Sequence, residues 1–274
     1  EPMFFKKHPM NIAHRGARAI APENTLSAAQ SAINSGADAW EIDVQLTSDG
    51  EPVILHDETL TRTSDVRKIK AFSKKQPWFL RDFTLAELQT LDFGTWFVET
   101  DPFGQIAAGE VTREALSNFK RLSVLTLEDA LAFSHASALK VNVEIKDLSG
   151  SPGHKVIAEK VVIRVEALNM TDEVLISSSN HHYLRQVKHL NTNISVAVII
   201  EVPHSDPVGL LRDLGAEAYH PHSEAVDVET ISFLRREGFH VNVWTLNDEI
   251  SITKFIEAGA SGIFTDFPQS FPKK

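Results

Sequence analysis

Cysteine is absent from the 274 residues, which removes disulfides, thiol catalysis and thiolate metal sites together. No apolar run reaches the ~20 residues that span a bilayer, and the N-terminal stretch has no apolar segment of the signal-peptide kind. No membrane insertion is therefore expected, and the cytoplasm is the expected compartment. Because the first residue is Glu1 rather than Met, a processed leader stays open. Positive charge is in short supply: 27 Lys and Arg against 37 Asp and Glu give a net charge of −10, which argues against nucleic acid or an anionic membrane as partner. A small anion held by one or two local cations is compatible with that balance. Also missing is a Gly-rich phosphate loop behind an early strand, which an open doubly wound sheet would want.

What is present is an ordinary globular composition, 42% hydrophobic and 23% charged, over a length that suits one α/β barrel. The most informative stretch is residues 39–57, AWEIDVQLTSDGEPVILHD. In a strand, Glu41 and Asp43 point to one face and Trp40, Ile42 and Val44 to the other. Ser48-Asp49-Gly50 marks a turn and Pro52-Val53-Ile54-Leu55 returns, over a connection too short for anything but an antiparallel partner. A simple hairpin register sets His56 beside Asp43. Two carboxylates that close repel, so either a cation sits between them or basic core residues pair with them. Oxygen ligands favour Mg²⁺, Ca²⁺ or Mn²⁺ as that cation.

Along the chain, Asn11-Ile12-Ala13 reads as a strand ending in His14-Arg15-Gly16. Asn24 or Thr25 then caps a helix from Leu26 to about Asn34 that stops at Gly36. Residues 58–123 form a non-repeating excursion, with a capping box at Thr84–Glu87 opening a helix through Leu91. Its aromatics, Phe93, Trp96, Phe97 and Phe103, suit the packing of a small helical or irregular insertion. From Thr126 the α/β cadence resumes, with a recurring Gly where each helix gives way to a strand (Gly36, Gly215, Gly238, Gly259). Parallel strands are expected near 11–14, 39–45, 140–146, 174–178, 195–200, 217–221, 240–245 and 262–265. Eight βα units imply a closed (β/α)₈ TIM barrel, residues 1–274 as one unit with the insertion at about 58–123 after the second strand's hairpin.

In such a barrel the working face lies at the C-terminal strand ends, and these ends are polar here. Glu41, Asp43 and Glu144, from two strands, can hold one hard cation. Arg15 and Lys146 can bind a phosphate-like anion. His14 and His56 titrate near neutrality and can act as a general base and a general acid. Strict alternation sets His14 and Arg15 on opposite faces unless Gly16 relaxes the backbone. Trp244 either lines the substrate pocket or fills the barrel mouth. His220 and His222 are either an i,i+2 ligand pair or a strand-end loop, and Asp57 either orients His56 or serves the turn. The inventory suits phosphoryl transfer from a diester.

Taken together, His14-Arg15-Gly16, Pro22-Glu23-Asn24-Thr25, Glu41-Ile42-Asp43-Val44, Pro52–Asp57 (PVILHD), Val143-Glu144-Ile145-Lys146, Val243-Trp244-Thr245 and Thr265-Asp266-Phe267-Pro268 resemble the glycerophosphodiester phosphodiesterase family, in its order and over nearly the whole chain. The resemblance implies a TIM barrel that hydrolyses glycerophosphodiesters, such as glycerophosphocholine or glycerophosphoethanolamine, to glycerol 3-phosphate and an alcohol. It implies acid–base roles for His14 and His56, metal ligation by Glu41, Asp43 and Glu144, and phosphate contacts by Arg15 and Lys146. It further implies attack by the glycerol 2-hydroxyl, giving a cyclic phosphate that water opens. Ser178-Ser179-Asn180 departs from the family, which often has an aromatic after the serines. A phospholipase-D-like lyase acting on lysophospholipids and a non-catalytic barrel that binds phosphometabolites are the competing readings.

Overall fold

A computed structural model describes residues 3–272, so residues 1–2 and 273–274 of the expected unit lie outside the described residues. Parallel strands β1 (Met10–Ala13) and β2 (Ala39–Leu46) flank helix α1 (Leu26–Asn34). β3 (Pro52–Ile54) returns antiparallel on β2, and the two-residue β4 (Leu125–Thr126) pairs antiparallel with β3. Between β3 and β4 lie the short helices α2 (Leu85–Leu88), α3 (Thr95–Thr100) and α4 (Arg113–Asn118). The rest alternates: α5 (Leu127–Ser137), β5 (Lys140–Ile145), α6 (Ile157–Ala167), β6 (Val174–Ser178), α7 (His181–Leu190), β7 (Ser195–Ile200), α8 (Pro207–Leu214), β8 (Ala218–Pro221), α9 (Val228–Arg236), β9 (His240–Val243), α10 (Glu249–Glu257) and β10 (Gly262–Thr265). The order β1-β10-β9-β8-β7-β6-β5-β2, with β1 also pairing β2, closes a parallel eight-stranded TIM barrel. After β10 the described residues form a 3₁₀ turn, Pro268–Ser270.

Alternation explains where the core sits. Trp40, Ile42 and Val44 face outward into the layer between barrel and helices, where the Trp40 Nε1–H donates to Ser134 Oγ of α5 at 2.9 Å. Inside, Met10, Ile12, Ala39, Leu175, Ala197, Ala218 and Phe264 pack with Phe4 and Phe5 from the N-terminal turn. The outer layer is the larger apolar cluster, as expected of strands buried on both faces.

Two expectations need correction. The hairpin loop is three residues, with Gly50 left-handed at φ 80° and Thr47 bonded to Glu51. Val44 therefore faces Ile54, and Leu55 rather than His56 lies opposite Asp43, its N–H donating to the Asp43 carbonyl. One loop residue fewer shifts the register by one. The capping box at Thr84 and Glu87 is present, but the helix ends at Leu88 rather than Leu91.

Gly16 has a left-handed φ of 82°, and a Cβ there would lie 2.5 Å from Ala28 Cβ in α1. Gly16→Ala is expected to cost about 2–4 kcal/mol from backbone strain plus overpacking, read as a lower urea midpoint at unchanged slope.

Candidate active site

The C-terminal strand ends surround a cavity of ≈ 220 Å³, lined among others by His14, Arg15, Glu41, His56, Glu144 and Lys146, with Trp244 on its wall. That is smaller than the ~300–1,000 Å³ of drug-sized pockets and suits a small polar molecule. His14 and Arg15 both reach it because Arg15 itself adopts φ 57°, which breaks strand alternation before Gly16. The Arg15 backbone N–H donates to Glu41 Oε2 at 2.9 Å.

Glu41 and Asp43 of β2 and Glu144 of β5 bring one carboxylate oxygen each within 4.8 Å of one another, and no other such group of three occurs among the described residues. Asp43, 1% exposed, has Arg15 Nε and Lys146 Nζ each at 3.5 Å and accepts from Asn24 Nδ2 at 2.9 Å. Burial alone would raise its pKa, but Lys146, Arg15, His56 and Asn24 outweigh that and hold it ionised, below the usual range. Glu41 goes the other way. Burial, then the Asp43 and Glu144 charges, push it well up, and Arg15 offsets only part. Glu144, also raised by burial and Asp43, accepts from Lys146 Nζ at 2.8 Å.

These donors fit a hard cation. Glu41 Oε1 is buried without a hydrogen-bond partner among the described residues, and so is Oδ1 of Asn142, its neighbour across the β2–β5 ladder. With all three carboxylates ionised, as a bound cation would require, they leave one negative charge against Arg15 and Lys146. A divalent cation would turn that into one positive charge, which a singly charged phosphodiester cancels.

Each imidazole is tied at Nδ1 to a carboxylate. His14 Nδ1 lies 2.7 Å from Asp266 Oδ1, and His56 Nδ1 lies 2.8 Å from Asp57 Oδ1. Both acids are held below the ordinary range, because their hydrogen-bonded and cationic partners outweigh the opposing effect of burial, so they accept and the ring nitrogens donate. Burial lowers the His14 pKa and Asp266 only partly restores it, so the ring is neutral at pH 7 with Nε2 as its free lone pair.

His220 and His222 do not form a ligand pair. His220 is buried, meets Asn242 Nδ2 through Nε2 at 2.9 Å, and is pushed down to about 3 by burial. His222 meets the Trp244 ring edge-on at 4.8 Å, while Trp244 Nε1–H donates to the His220 carbonyl. Sequence reasoning assigned nothing to Arg18 or Arg62, gave Glu23 and Asp266 no partner, and weighed Asn24 only as a cap. Thr25 is the cap, leaving Asn24 free for Asp43. The signal that existed was the cluster of polar residues at the ends of β1 and β10.

Glu23 is pushed down to about 2: burial would raise it, but Arg62, Arg15 and Arg18 prevail. Asp266 is pushed down to about 2 in the same way, with His14 the leading opponent of burial. Depressed carboxylates stabilise fully above their unfolded values and lose that stabilisation as pH falls toward the folded ones. Stability is therefore expected to drop between about pH 4.5 and 2, with Glu23 alone accounting for about 3 kcal/mol, and urea melts across that range check it.

A closed parallel barrel with buried acids, imidazoles and cations at its C-terminal mouth defines a TIM-barrel enzyme for a small charged substrate. The chain belongs to the glycerophosphoryl diester phosphodiesterase family, whose pattern matches residues 14–270, and it is a phosphodiesterase. It is 32% identical over 259 residues to a glycerophosphodiester phosphodiesterase of Caldanaerobacter subterraneus, covering 94% of each chain. A Bacillus altitudinis protein of the same description is 33% identical over 262 residues, again covering 94% of each. Among solved structures, an Oleispira antarctica phosphodiesterase in complex with the product sn-glycerol-3-phosphate superposes with a TM-score of 0.76 at 28% identity, over 94% of this chain and 93% of that one. Among the described residues no helix is long and apolar enough to cross a membrane.

Proposed function

We propose that the protein hydrolyses glycerophosphodiesters, such as glycerophosphocholine or glycerophosphoethanolamine, to sn-glycerol 3-phosphate and the free alcohol. In this reading Glu41, Asp43 and Glu144 hold one divalent cation, Mg²⁺ or Ca²⁺ with Mn²⁺ also compatible, and His14 and His56 move the protons. The observation that carries it is the acidic trio with an unsatisfied Glu41 oxygen, in a cavity also lined by two imidazoles each anchored through Nδ1.

When bound, the cation supplies positive charge for the phosphoryl oxygens. Arg15 and Lys146 line the same cavity and meet the phosphate, and Trp244 forms a wall for the organic part of the substrate. Neutral His14 takes the proton of the attacking glycerol 2-hydroxyl at Nε2. The new O–P bond forms as the P–O bond to the alcohol breaks, and His56, entering the cycle with protons on both ring nitrogens, gives the one on Nε2 to the leaving oxygen. Water then opens the cyclic phosphate with the two rings in exchanged roles. Residues 58–123 belong to the same catalytic unit as its cover.

The test is direct. Purified protein incubated with glycerophosphocholine and Mg²⁺ or Ca²⁺ is expected to release glycerol 3-phosphate, and EDTA to stop it. A cyclic phosphate as the end product would replace hydrolysis by a lyase, and turnover insensitive to EDTA would remove the cation. Inertness across a panel of diesters leaves a binding barrel.

A further inference from the structure

The two imidazoles are joined behind the cavity by an unbroken chain of alternating charges. From His14 Nδ1 it passes to Asp266, to Arg18 (Nη1 3.4 Å from Asp266 Oδ1), and to Glu23 (Oε2 3.3 Å from Arg18 Nη2). From Glu23 it continues to Arg62, whose Nη1 and Nη2 donate to Glu23 at 2.9 and 2.7 Å and whose Nε and Nη2 donate to Asp57, both at 2.8 Å. Asp57 closes on His56 Nδ1. Glu23 is the junction: 6% exposed, it also accepts from Arg15 Nη1 at 3.1 Å.

We propose that Glu23 is a positioning residue for both rings at once: through Arg18 and Arg62 it fixes Asp266 and Asp57, which hold the Nδ1–H of each imidazole and so turn its Nε2 to the substrate. The chemistry of the links requires this. Each arginine presents a planar fork that two carboxylates can share, so moving Glu23 reorients both forks. Asp266 and Asp57 each receive a ring N–H on one oxygen, so the direction of each carboxylate sets the tilt of its ring.

The excursion has a part in the same device. Its Phe103 ring lies 5.1 Å from the Arg18 guanidinium carbon and its Trp96 ring 5.9 Å from that of Arg62. Arg62 itself comes from the excursion, 39 residues beyond Glu23. The segment that interrupts the barrel thus supplies one link, Arg62, and an aromatic ring beside each of the two arginines, while the Arg62–Asp57 end stays partly open to water.

The proposal rests on the two-histidine reading, so its test is read first without substrate. In ¹⁵N-labelled full-length protein, long-range imidazole spectra report the tautomer of each ring, assigned with His14→Gln and His56→Gln. Both rings are expected to carry a proton on Nδ1 in the parent, whatever the state of Nε2. Glu23→Gln is expected to disturb both rings, Arg18→Met only His14 and Arg62→Met only His56. With glycerophosphocholine, Glu23→Gln is expected to lower kcat roughly 10- to 100-fold at little changed KM, and Glu23→Asp, which restores the charge, to recover part of it. If Glu23→Gln does not fold, the Arg18→Met/Arg62→Met double variant carries the test and must disturb both rings. A Glu23→Gln protein that melts lower while both ring signals stay put, or one in which a single ring responds, overturns the proposal. Inertness toward every diester with the ring pattern intact would instead overturn the functional reading alone.

Discussion

Glu41→Gln is expected to melt at a higher temperature than the parent in EDTA, and to turn over glycerophosphodiesters roughly 10³-fold more slowly with any divalent cation present. Glu41 is buried, repelled by Asp43 and Glu144, and pushed well above the usual carboxylate range by burial and those two charges. An amide of the same shape removes that repulsion, keeps an acceptor for the Arg15 N–H, and offers a donor to the neighbouring carboxylates. What it loses is a charged oxygen for the cation. In the proposed mechanism several kcal/mol of charge stabilisation on the phosphoryl oxygens depend on that ion, and about 4 kcal/mol corresponds to the factor stated. The parent should show the complement. At 100 times Kd the cation adds about 2.7 kcal/mol, or roughly 5–10 °C in Tm, and Glu41→Gln should lose most of that shift. Calorimetry in EDTA and in Mg²⁺ decides the matter. A variant that melts below the parent without metal, yet keeps the full metal-induced shift, removes Glu41 from the cation site.

Substituting either imidazole separates the two proton transfers. His14→Gln and His56→Gln are each expected to lower kcat by about 10²–10⁴-fold on glycerophosphocholine. On a diester with a p-nitrophenyl leaving group, which departs without a proton, His56→Gln should recover most of the first-turnover release of p-nitrophenolate and His14→Gln should not. The pH dependence carries a sign as well. In the proposed mechanism His14 acts as a base in its neutral form, and burial lowers its pKa beneath the ordinary 6.5. The acid limb of kcat/KM in the parent is therefore expected below pH 6.5. An acid limb above 6.5, or rescue of His14→Gln by the activated leaving group, would reverse the assignment.

The barrel was legible because its evidence is local and repeated. Alternation in residues 39–46, and Gly at the helix ends before β2, β8, β9 and β10, reappear in the strands and left-handed glycines observed. The pairing of Glu41 and Asp43 with Glu144 follows from alternation plus parallel neighbours, since β2 and β5 bring Asp43 directly opposite Glu144. The hairpin register differs from the expected one by a residue because loop length is set by where the chain turns left-handed, here at Gly50. β4 went unseen because two residues carry no period.

Side-chain pairing at long range was beyond the sequence. Composition and spacing established the kind of protein: a cysteine-free α/β barrel whose acids, imidazoles and cations gather at the ends of named strands, since strand period and turn chemistry are short-range properties of the chain. Only the tertiary structure decided how those charges are distributed. Asn24 went to Asp43 rather than to the helix cap, Arg15 turned through a left-handed backbone into the cavity, and Glu23 joined arginines from two separate loops. Those partners lie up to 252 residues apart, as His14 and Asp266 do, and electrostatic pairing depends on distance in space, which no local pattern encodes.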